Sequence, residues 1–464
     1  MNEKSTKYLL IIVDWLVAVV AWSLFFYFRK VYIEELDFVV NPRFIQGIII
    51  IPLCWSIIHF FLGTYVDVKR LYLTRIINLT FKSVFLGTVF LFFIVILDDE
   101  IENYNAYYSL VLALFLIHFL LFLLPRLFIV YRIVSKIHQR KWGSNTLLIG
   151  GGDKASSIYN EVNSLVKGNG TLFKGFLSIN GFDQKLKSKL KYYGNVSELE
   201  RVIIEEAIEE VILAIEKDEQ EHLKAVMATA YRHQVRIKVI PGVMDFLSGS
   251  VQISNIFGAL LIELKITNMP FWQFVIKRVL DVMLSLMAIV LLLPLYIVLA
   301  FLVKRSSKGP IFFLQERIGK NGVPFNIIKF RTMYLDAEKQ GPQLSSANDP
   351  RITPIGRIMR KTRMDELPQF WNVIIGEMSL VGPRPERQFY INQIAEKEPQ
   401  FLQLTAVKPG ITSWGQVKYG YAENVDQMIQ RMKFDLLYLK NMSLALDFKI
   451  LLYTVLIVFK GTGK

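Results

Sequence analysis

Cysteine and charge are what this chain of 464 residues has little of. A single cysteine, Cys54, excludes any intramolecular disulfide, and its place in an apolar stretch reads as packing. Charged residues are 20% and hydrophobic ones 53% of the chain, against about a quarter and roughly 45–50% in a typical soluble protein. That balance excludes disorder, a collagen-like chain and a disulfide scaffold. The mean hydropathy of +0.36 is unevenly distributed, because nearly all the apolar excess lies in a few long blocks. One compact domain is not expected at this length, since single cores stop growing near roughly 250–300 residues. Acid is scarcer than base: 54 Lys and Arg stand against 40 Asp and Glu, a net charge of +14. Such a surplus suits anionic lipid headgroups, phosphorylated substrates or nucleic acid.

Four of the apolar blocks fall at 8–28, 44–63, 83–97 and 106–125. A crossing helix needs about 20 apolar residues, or about 17 at the short end. The third block reaches that length only with 79–81, across Lys82, whose stem can snorkel. The first is too long for a signal-peptide core, and no small-residue cleavage site follows it before Arg29-Lys30, so it reads as an uncleaved span. Lys4, Lys7, Lys69, Arg70 and Arg75 mark one side of the bundle, as do Arg126, Arg132, Lys136, Arg140 and Lys141 after the fourth block. The third loop carries Asp98, Asp99, Glu100 and Glu102 and no base. By the positive-inside rule both ends of the bundle are expected on the cytoplasmic face. Asp14 and His59 lie within spans, where ionisable groups are functional candidates by default. Asp14, close to the cytoplasmic end, is read first as an interhelical contact.

Beyond the bundle the pattern changes. Residues 145–150 read as a buried strand that runs into Gly150-Gly151-Gly152-Asp153-Lys154-Ala155, a glycine turn entering a helix. Strands at 210–215 and 236–240, with helical stretches at 196–207 and 219–232, alternate as in a parallel α/β sheet. Gly150, Gly152 and Ala155 match a G-x-G-x-x-A fingerprint, whose backbone amides can hold a pyrophosphate. The acid that fingerprint wants about 20 residues on is missing: Gly168-Asn169-Gly170 stands there, and the first later acid is Asp183. A Rossmann-like module with a degenerate nucleotide loop, structural or regulatory, is therefore expected in preference to a bound dinucleotide.

A fifth apolar block, 279–303, is also long enough to cross, yet Lys277-Arg278 precede it and Lys304, Arg305 and Lys308 follow. Two basic flanks belong on one side of a membrane, and Pro294 in the middle removes a hydrogen bond and kinks the helix. Together they predict a re-entrant helix over 277–303 that enters and leaves one leaflet. The alternative, a straight fifth span, would put everything after Lys304 outside the cell, away from nucleotide donors.

The chemistry is concentrated after Lys304. Lys329-Phe330-Arg331-Thr332-Met333 is followed by Asp349-Pro350-Arg351 and by Arg357, Arg360, Lys361 and Arg363; residues 351–363 hold five cations and no acid. Asp365-Glu366-Leu367-Pro368-Gln369 comes next, then Ser379-Leu380-Val381-Gly382-Pro383-Arg384-Pro385-Glu386. A charge run is usually a solvated face, but these cations border two adjacent carboxylates and two proline turns. A helix over 367–375, with Pro368 in its first turn, puts Asp365 near the N-cap. There it either only caps, or, held ionised among arginines, can attack phosphorus. Glu366 cannot face the same way and suits a metal; Mg²⁺ takes one or two carboxylates plus substrate phosphates. Arginine forks suit phosphate oxygens.

These motifs carry a family resemblance. Residues 277–454 resemble the catalytic domain of bacterial polyprenyl-phosphate phosphoglycosyl transferases, the monotopic sugar transferases that begin exopolysaccharide, capsule and O-antigen chains. The resemblance lies in Lys277-Arg278-x-x-Asp281, the block from Lys329 to Met333, Asp349-Pro350-Arg351, Lys361-Thr362, Asp365 to Gln369, Met378 to Glu386, and Lys408-Pro409-Gly410-Ile411-Thr412. The whole layout is similar to the family's large subgroup. It implies a membrane protein of α plus α/β class: four transmembrane helices in 1–130, a Rossmann-like parallel α/β domain at 143–265, and a mainly helical catalytic domain at 271–464 that carries the re-entrant helix.

The resemblance further implies Asp365 as nucleophile, Glu366 as its partner tied to Mg²⁺, Arg360 and Arg384 near the phosphate, and Pro294 as the breaker of the re-entrant helix. Arg331, Arg351, Lys361 and Arg387 are expected with them at the substrate phosphate or nucleotide. The implied reaction passes a sugar 1-phosphate from a UDP-sugar, through Asp365, to undecaprenyl phosphate, with UMP released at the cytoplasmic face of a bacterial inner membrane. The lipid bilayer and a second copy of the chain are the expected partners, and nucleic acid is not. Two departures stand out: Leu293 where the family commonly has serine before the proline, and Thr412-Ser413-Trp414-Gly415-Gln416 where it has Thr-Gly-Trp-Ala-Gln. A nucleotide-sugar dehydratase or epimerase would need a Tyr-x-x-x-Lys pair in the α/β domain, and Tyr65 with Lys69 lies in a membrane loop. A non-catalytic scaffold would not need an intact Asp365-Glu366. The last apolar stretch, 450–459, is too short to span and is expected in the interface or against the catalytic domain.

Overall fold

The computed structural model describes residues 3–93, 104–181, 184–216, 222–240, 261–264, 267, 269–335, 349–420 and 422–460. The chain divides into two compact units, Met1–Ser144 with Ser164–Leu172, and Asn145–Asn163 with Phe173–Lys464. The acidic loop residues Asp98, Asp99, Glu100 and Glu102, and Asp183, lie outside the described residues.

The first unit holds α1 (Glu3–Phe28), α2 (Pro42–Phe61), α3 (Leu73–Leu91) and α4 (Tyr104–His138). All four are long and apolar enough to cross a membrane. Asn41 starts α2, its side chain accepting from Phe44 N–H at 2.8 Å, and Pro42 takes the first helical position, where its missing N–H costs nothing. Small residues let the helices close up: a Cβ on Gly47 would run into Trp22, and one on Gly87 into Trp55.

Asp14 is the interhelical contact expected of it. Arg126 Nε and Nη2 donate to its two carboxylate oxygens, both at 2.8 Å, and Tyr65 Oη donates at 2.8 Å. Arg126 Nη1 reaches Thr80 Oγ1 at 2.9 Å, so one polar cluster joins α1, α3, α4 and the loop after α2. Arg126 itself departs from expectation. Counted from sequence as a loop cation, it is fully buried inside α4, which passes Pro125 and runs to His138. A buried arginine is tolerable only because Asp14, 112 residues away, neutralises it.

A six-stranded sheet follows, ordered β3-β2-β1-β4-β5-β6. Its strands are β1 (Ser144–Ile149), β2 (Thr171–Ser178), β3 (Tyr192–Asn195), β4 (Glu210–Leu213), β5 (Arg236–Val239) and β6 (Ile262–Glu263). Among the described residues between them are α5 (Asp153–Ser164), α6 (Leu199–Glu205) and α7 (Leu223–Arg232), with a single further helical turn at Gln184–Lys187. β1 with β4, β4 with β5 and β2 with β3 pair in parallel, and β6 closes one edge antiparallel. Leu147–Ile149 and Val211–Leu213 are buried throughout, the unbroken apolar run that marks a strand covered on both faces. β2 and β3 were not foreseen. Both carry glycines, and Gly175 leaves room for the Tyr193 ring to cross it, so their residues do not read as apolar strands.

The C-terminal part begins with α8 (Phe271–Leu291) and α9 (Leu293–Ser306), bent by 64° at Leu292. Pro294 stands in the first turn of α9, a position that suits it, and not in the middle of a helix. An antiparallel hairpin of β7 (Phe312–Ile318) and β8 (Pro324–Phe330) comes next. Then follow α10 (Pro354–Lys361), α11 (Gln369–Ile375), β9 (Ser379–Val381), α12 (Gln388–Lys397), β10 (Gly410–Thr412), α13 (Trp414–Lys418), α14 (Val425–Lys440) and α15 (Leu444–Lys460). β10 lies parallel to β9.

α8 is anchored by the Lys277-Arg278-x-x-Asp281 motif. Lys277 Nζ donates to Val381 O at 2.9 Å and to Asp447 at 2.7 Å; Arg278 reaches the carbonyls of Val373 and Ile374 at 2.7 and 3.0 Å. Asp281 accepts from Ser379 Oγ at 2.7 Å and Leu380 N–H at 3.1 Å. Lys277 and Arg278, read from sequence as flanking charges, are therefore tied into the protein. α15 buries Asp447 and Ile450 while Phe448, Leu452 and Leu456 stay exposed.

Asp14→Ala or Arg126→Ala strands the partner charge, and each is expected to cost about 3–5 kcal/mol. Unfolding of the detergent-held protein checks this; replacing both by leucine costs less than the two single losses summed.

Candidate active site

Asp365 and Glu366 share one 3₁₀ turn, Met364–Glu366, between α10 and α11, and both are buried. α10 stops at Thr362, and Arg363, at φ 57°, turns the chain into the left-handed region. Glu366 N–H then closes on Arg363 O at 3.2 Å and Leu367 N–H on Met364 O at 3.4 Å. Asp365 is consequently no N-cap. The amide two residues on is already used, and Pro368, three residues on, has none to offer. α11 starts at Gln369, capped by Pro368 with no side-chain bond. The expected helix over 367–375 with Asp365 near its N-cap is thereby corrected, and with it goes the alternative that Asp365 only caps.

Two devices hold the turn. Tyr296 Oη on α9 donates to Leu367 O at 2.6 Å, and Met364 and Leu367 pack against Leu299, Val303, Phe330 and Met359. Asn372 on α11 is fully buried; it accepts from Ile328 N–H at 3.0 Å and donates to Asn326 O at 2.8 Å. That pins α11 to β8, and Lys329 next along β8 reaches Glu366.

Three cations meet Glu366. Lys329 Nζ and Arg384 Nη1 lie 3.3 and 3.5 Å from Oε1, and Arg363 Nε lies 3.6 Å from Oε2. Burial alone would raise the Glu366 pKa; the charges of Lys329, Arg363 and Arg384 outweigh it and hold the carboxyl well below its usual range. Asp365 moves the other way. Burial and then the Glu366 charge push it up to about 6, against the pull of Lys329, Arg360 and Arg363. Among the described residues no hydrogen bond reaches the Asp365 carboxylate. One carboxylate is thus fixed as an anion, and its neighbour titrates just below neutrality with its oxygens unengaged.

The predicted phosphate-site residues separate into groups. Arg360 and Arg384 stand at the dyad; Arg360 Nε also donates to Thr332 Oγ1 at 2.9 Å. Arg331 is turned away. β8 ends at Phe330, and the Arg331 guanidinium donates to Ser307 O at 2.7 Å and Lys308 O at 3.2 Å, closing the C-terminal end of α9. Arg351 is clamped on Asp349, Nε to Oδ1 at 2.9 Å and Nη2 to Oδ2 at 2.6 Å. Lys361 is exposed on α10, and Arg387 is half-buried at the start of α12. Lys329 and Arg363, absent from the sequence-derived set, both face the dyad. Lys329 opens the block that also holds Arg331, and only the end of β8 decides which of the two cations points at the carboxylates.

The two carboxylates offer hard oxygen donors. Among the described residues no group of three or more His, Cys, Asp and Glu is close enough to enclose a metal. The pair therefore fits a hard cation whose shell is completed by oxygens from elsewhere.

The glycine loop is occupied by the chain itself. Gly150 takes φ 124°, Ala155 is buried, and Gly152 abuts Glu216. Glu216 Oε1 accepts from Lys154 N–H at 3.0 Å, and Lys154 Nζ returns to Glu216 Oε2 at 3.2 Å. The amide that a pyrophosphate would use is met by an internal carboxylate.

A family model described as bacterial sugar transferase matches residues 272–461. A UDP-N-acetylgalactosamine-undecaprenyl-phosphate N-acetylgalactosaminephosphotransferase from Aeromonas hydrophila is 39% identical over 228 residues, 48% of this chain and 52% of that protein. A UDP-glucose:undecaprenyl-phosphate glucose-1-phosphate transferase from Klebsiella pneumoniae is 32% identical over 272 residues, 58% of each chain. Another of the same description, from Caulobacter vibrioides, is 40% identical over 183 residues, 39% of this chain and 68% of that protein. The chain spans a little over half the length of the first two relatives, 52% and 58%.

Asn372→Leu leaves the Ile328 amide and Asn326 carbonyl without their partner, at an expected cost of about 1–3 kcal/mol for each group so stranded. Thermal unfolding of the variant, with faster proteolysis between β8 and α11, checks it.

Proposed function

This chain belongs to the bacterial sugar transferases that act as polyprenyl-phosphate phosphoglycosyl transferases, and from that premise we propose that it moves a sugar 1-phosphate from a UDP-sugar to undecaprenyl phosphate. One observation carries the reading: a buried aspartate with unengaged oxygens, beside a glutamate that gathers Lys329, Arg363 and Arg384 around it at 3.3, 3.6 and 3.5 Å. The relatives named above share undecaprenyl phosphate and differ in the sugar, glucose or N-acetylgalactosamine.

In the first half-reaction Asp365 Oδ attacks the β-phosphorus of the UDP-sugar. A carboxyl–phosphorus bond forms, the bond to the bridging oxygen breaks, and UMP leaves with the electron pair. In the second, a phosphate oxygen of the lipid attacks the same phosphorus and Asp365 is released as carboxylate, giving undecaprenyl diphosphate sugar. Lys329, Arg360, Arg363 and Arg384 offset charge on the transferring group in both steps. Asp365 and Glu366 would hold Mg²⁺ together with substrate phosphate oxygens, and the ion would supply further neutralisation there.

The bent pair α8–α9 is read as a re-entrant helix. Its 64° bend, with the basic residues Lys304 and Arg305 closing α9, supports that reading, as does the Tyr296 bond to the turn that bears the dyad. A re-entrant helix so joined to the site brings it to the level of the lipid phosphate, on the cytoplasmic face of a bacterial inner membrane. The sheet is read as Rossmann-like from its 3-2-1-4-5 order, with Glu216 in the phosphate position and hence a structural or regulatory role.

Nanodisc-held protein with undecaprenyl phosphate, Mg²⁺ and a panel of UDP-sugars is expected to release UMP from at least one donor. Asp365→Asn should lower that rate by about 10³-fold or more. Ternary-complex kinetics, with no phosphosugar trapped on Asp365, would sink the covalent route.

The pH profile gives a separate check. Asp365 reacts as the anion, and burial with the Glu366 charge pushes it up to about 6, so kcat/KM should fall about tenfold per pH unit below that value. Lys329 lowers the Asp365 pKa. Lys329→Met therefore moves the acid limb to higher pH, whatever it does to the plateau.

A further inference from the structure

The block from Lys329 to Met333 sends consecutive polar side chains to separate partners. Lys329 meets Glu366, and Arg331 closes the end of α9. Thr332, the next residue, meets Arg360: its Oγ1 accepts from Arg360 Nε at 2.9 Å. Thr332 is buried, and its main chain is fixed by the start of α10. Thr332 O accepts from Thr353 N–H at 2.9 Å and from Thr353 Oγ1 at 3.2 Å. Gly356 packs on the same carbonyl so closely that a Cβ there would collide with it. Thr353 in turn caps α10, its hydroxyl accepting from Gly356 N–H at 3.1 Å. Arg360 stands in the last turn of that helix. The first turn of α10 therefore sets Thr332, and the Thr332 hydroxyl reaches across to the guanidinium of the last turn.

That guanidinium has to be aimed. Its charge bears on two acids, Asp365 in the dyad and Asp349, which Arg351 already binds. Asp349 thus competes with the dyad for it. Arginine is long and rich in rotamers, but its guanidinium is a rigid plane that contains Nε, so a bond at Nε restricts the direction of the whole fork. The type of acceptor matters as well. A carboxylate in place of Thr332 would hold Arg360 more tightly and would also cancel its charge. A hydroxyl is neutral: it orients the fork and leaves the charge for a phosphate. A purely structural role would need only the Thr332 carbonyl, which Thr353 and Gly356 use and which every residue type possesses.

We propose that Thr332 is a positioning residue for the transfer, its hydroxyl holding the Arg360 guanidinium in the plane that serves the phosphate at Asp365. This rests on Asp365 as the place of transfer, and Thr332 acts through Arg360 alone.

Steady-state UMP release by the full chain in nanodiscs tests it, with undecaprenyl phosphate, Mg²⁺ and a UDP-sugar that the wild type turns over. Thr332→Val should lower kcat about tenfold and leave KM for the UDP-sugar within about twofold, because the charge of Arg360 matters most in the transition state. Thr332→Ser keeps the hydroxyl and should stay within about threefold of wild type in kcat. Arg360→Met should cost at least as much as Thr332→Val, and adding Thr332→Val to it should change the rate by less than about twofold, since no guanidinium is left to aim. An unimpaired Thr332→Val, a serine variant as slow as the valine one, or a valine effect of equal size with and without Arg360 overturns the proposal. Should Thr332→Val fail to fold, Thr332→Ala removes the same hydroxyl and is read in the same way. A wild type that releases no UMP from any donor overturns the transfer reading and this proposal together; turnover by the wild type with an unimpaired Thr332→Val overturns this proposal alone.

Discussion

Two carboxylates on consecutive residues can be buried together only if cations are brought to them. In a medium of low dielectric an unpaired anion costs far more than the fold has to spare, and two adjacent anions repel as well. The need is met from three places in the chain: Lys329 on β8, Arg363 in the turn itself, and Arg384 in the proline turn after β9. Each of these needs its own support. Asn372 ties α11 to β8. Glu386 holds the proline turn, its backbone carbonyl accepting from Ile318 N–H at 3.0 Å while its carboxylate takes Arg317 at 3.2 Å and Arg431. Much of the polar interior of this part of the molecule can be traced back to keeping Glu366 an anion.

The bent helix pair is braced from both arms. α8 is held by Lys277, Arg278 and Asp281, whose partners are the end of α11, strand β9 and Asp447. α9 is held by Tyr296 at its start and by Arg331 at its end. The partners at Leu367 and on α11 follow the dyad directly in sequence, so the arms are tied to the segment that leaves Asp365 and Glu366. Pro294 is then a permissive residue. It opens α9 where the chain has already turned, and the polar anchors fix the turn.

What the sequence made legible follows the range of the interactions involved. The four apolar helices, strands β1, β4 and β5, and the set Asp365, Glu366, Arg360 and Arg384 could all be read from local runs or contiguous motifs. Arg126 could not, because its partner is 112 residues away and hydropathy places a lone arginine outside the membrane. Lys329 and Arg331 are two residues apart in one motif and end on different partners, because β8 stops between them. Asp365 looked like a cap because the helix seemed to begin before Pro368; the 3₁₀ turn that displaces it depends on Arg363 at positive φ, a conformation that the residue type does not announce.

Two anion problems in the second unit are solved in opposite ways. At the glycine loop the backbone offers an amide and the chain supplies its own acceptor, Glu216, which Lys154 then pairs. The Lys154 amide is thereby taken up within the chain. At the dyad the chain supplies cations, and Glu366 takes up Lys329, Arg363 and Arg384. Asp365, in a buried position, is left with no hydrogen bond among the described residues and a pKa pushed up to about 6. Elsewhere the fold pairs its buried charges, as Asp14 with Arg126 and Lys277 with Asp447. The incompleteness at Asp365, more than the abundance of arginine around it, is what distinguishes the dyad from the glycine loop.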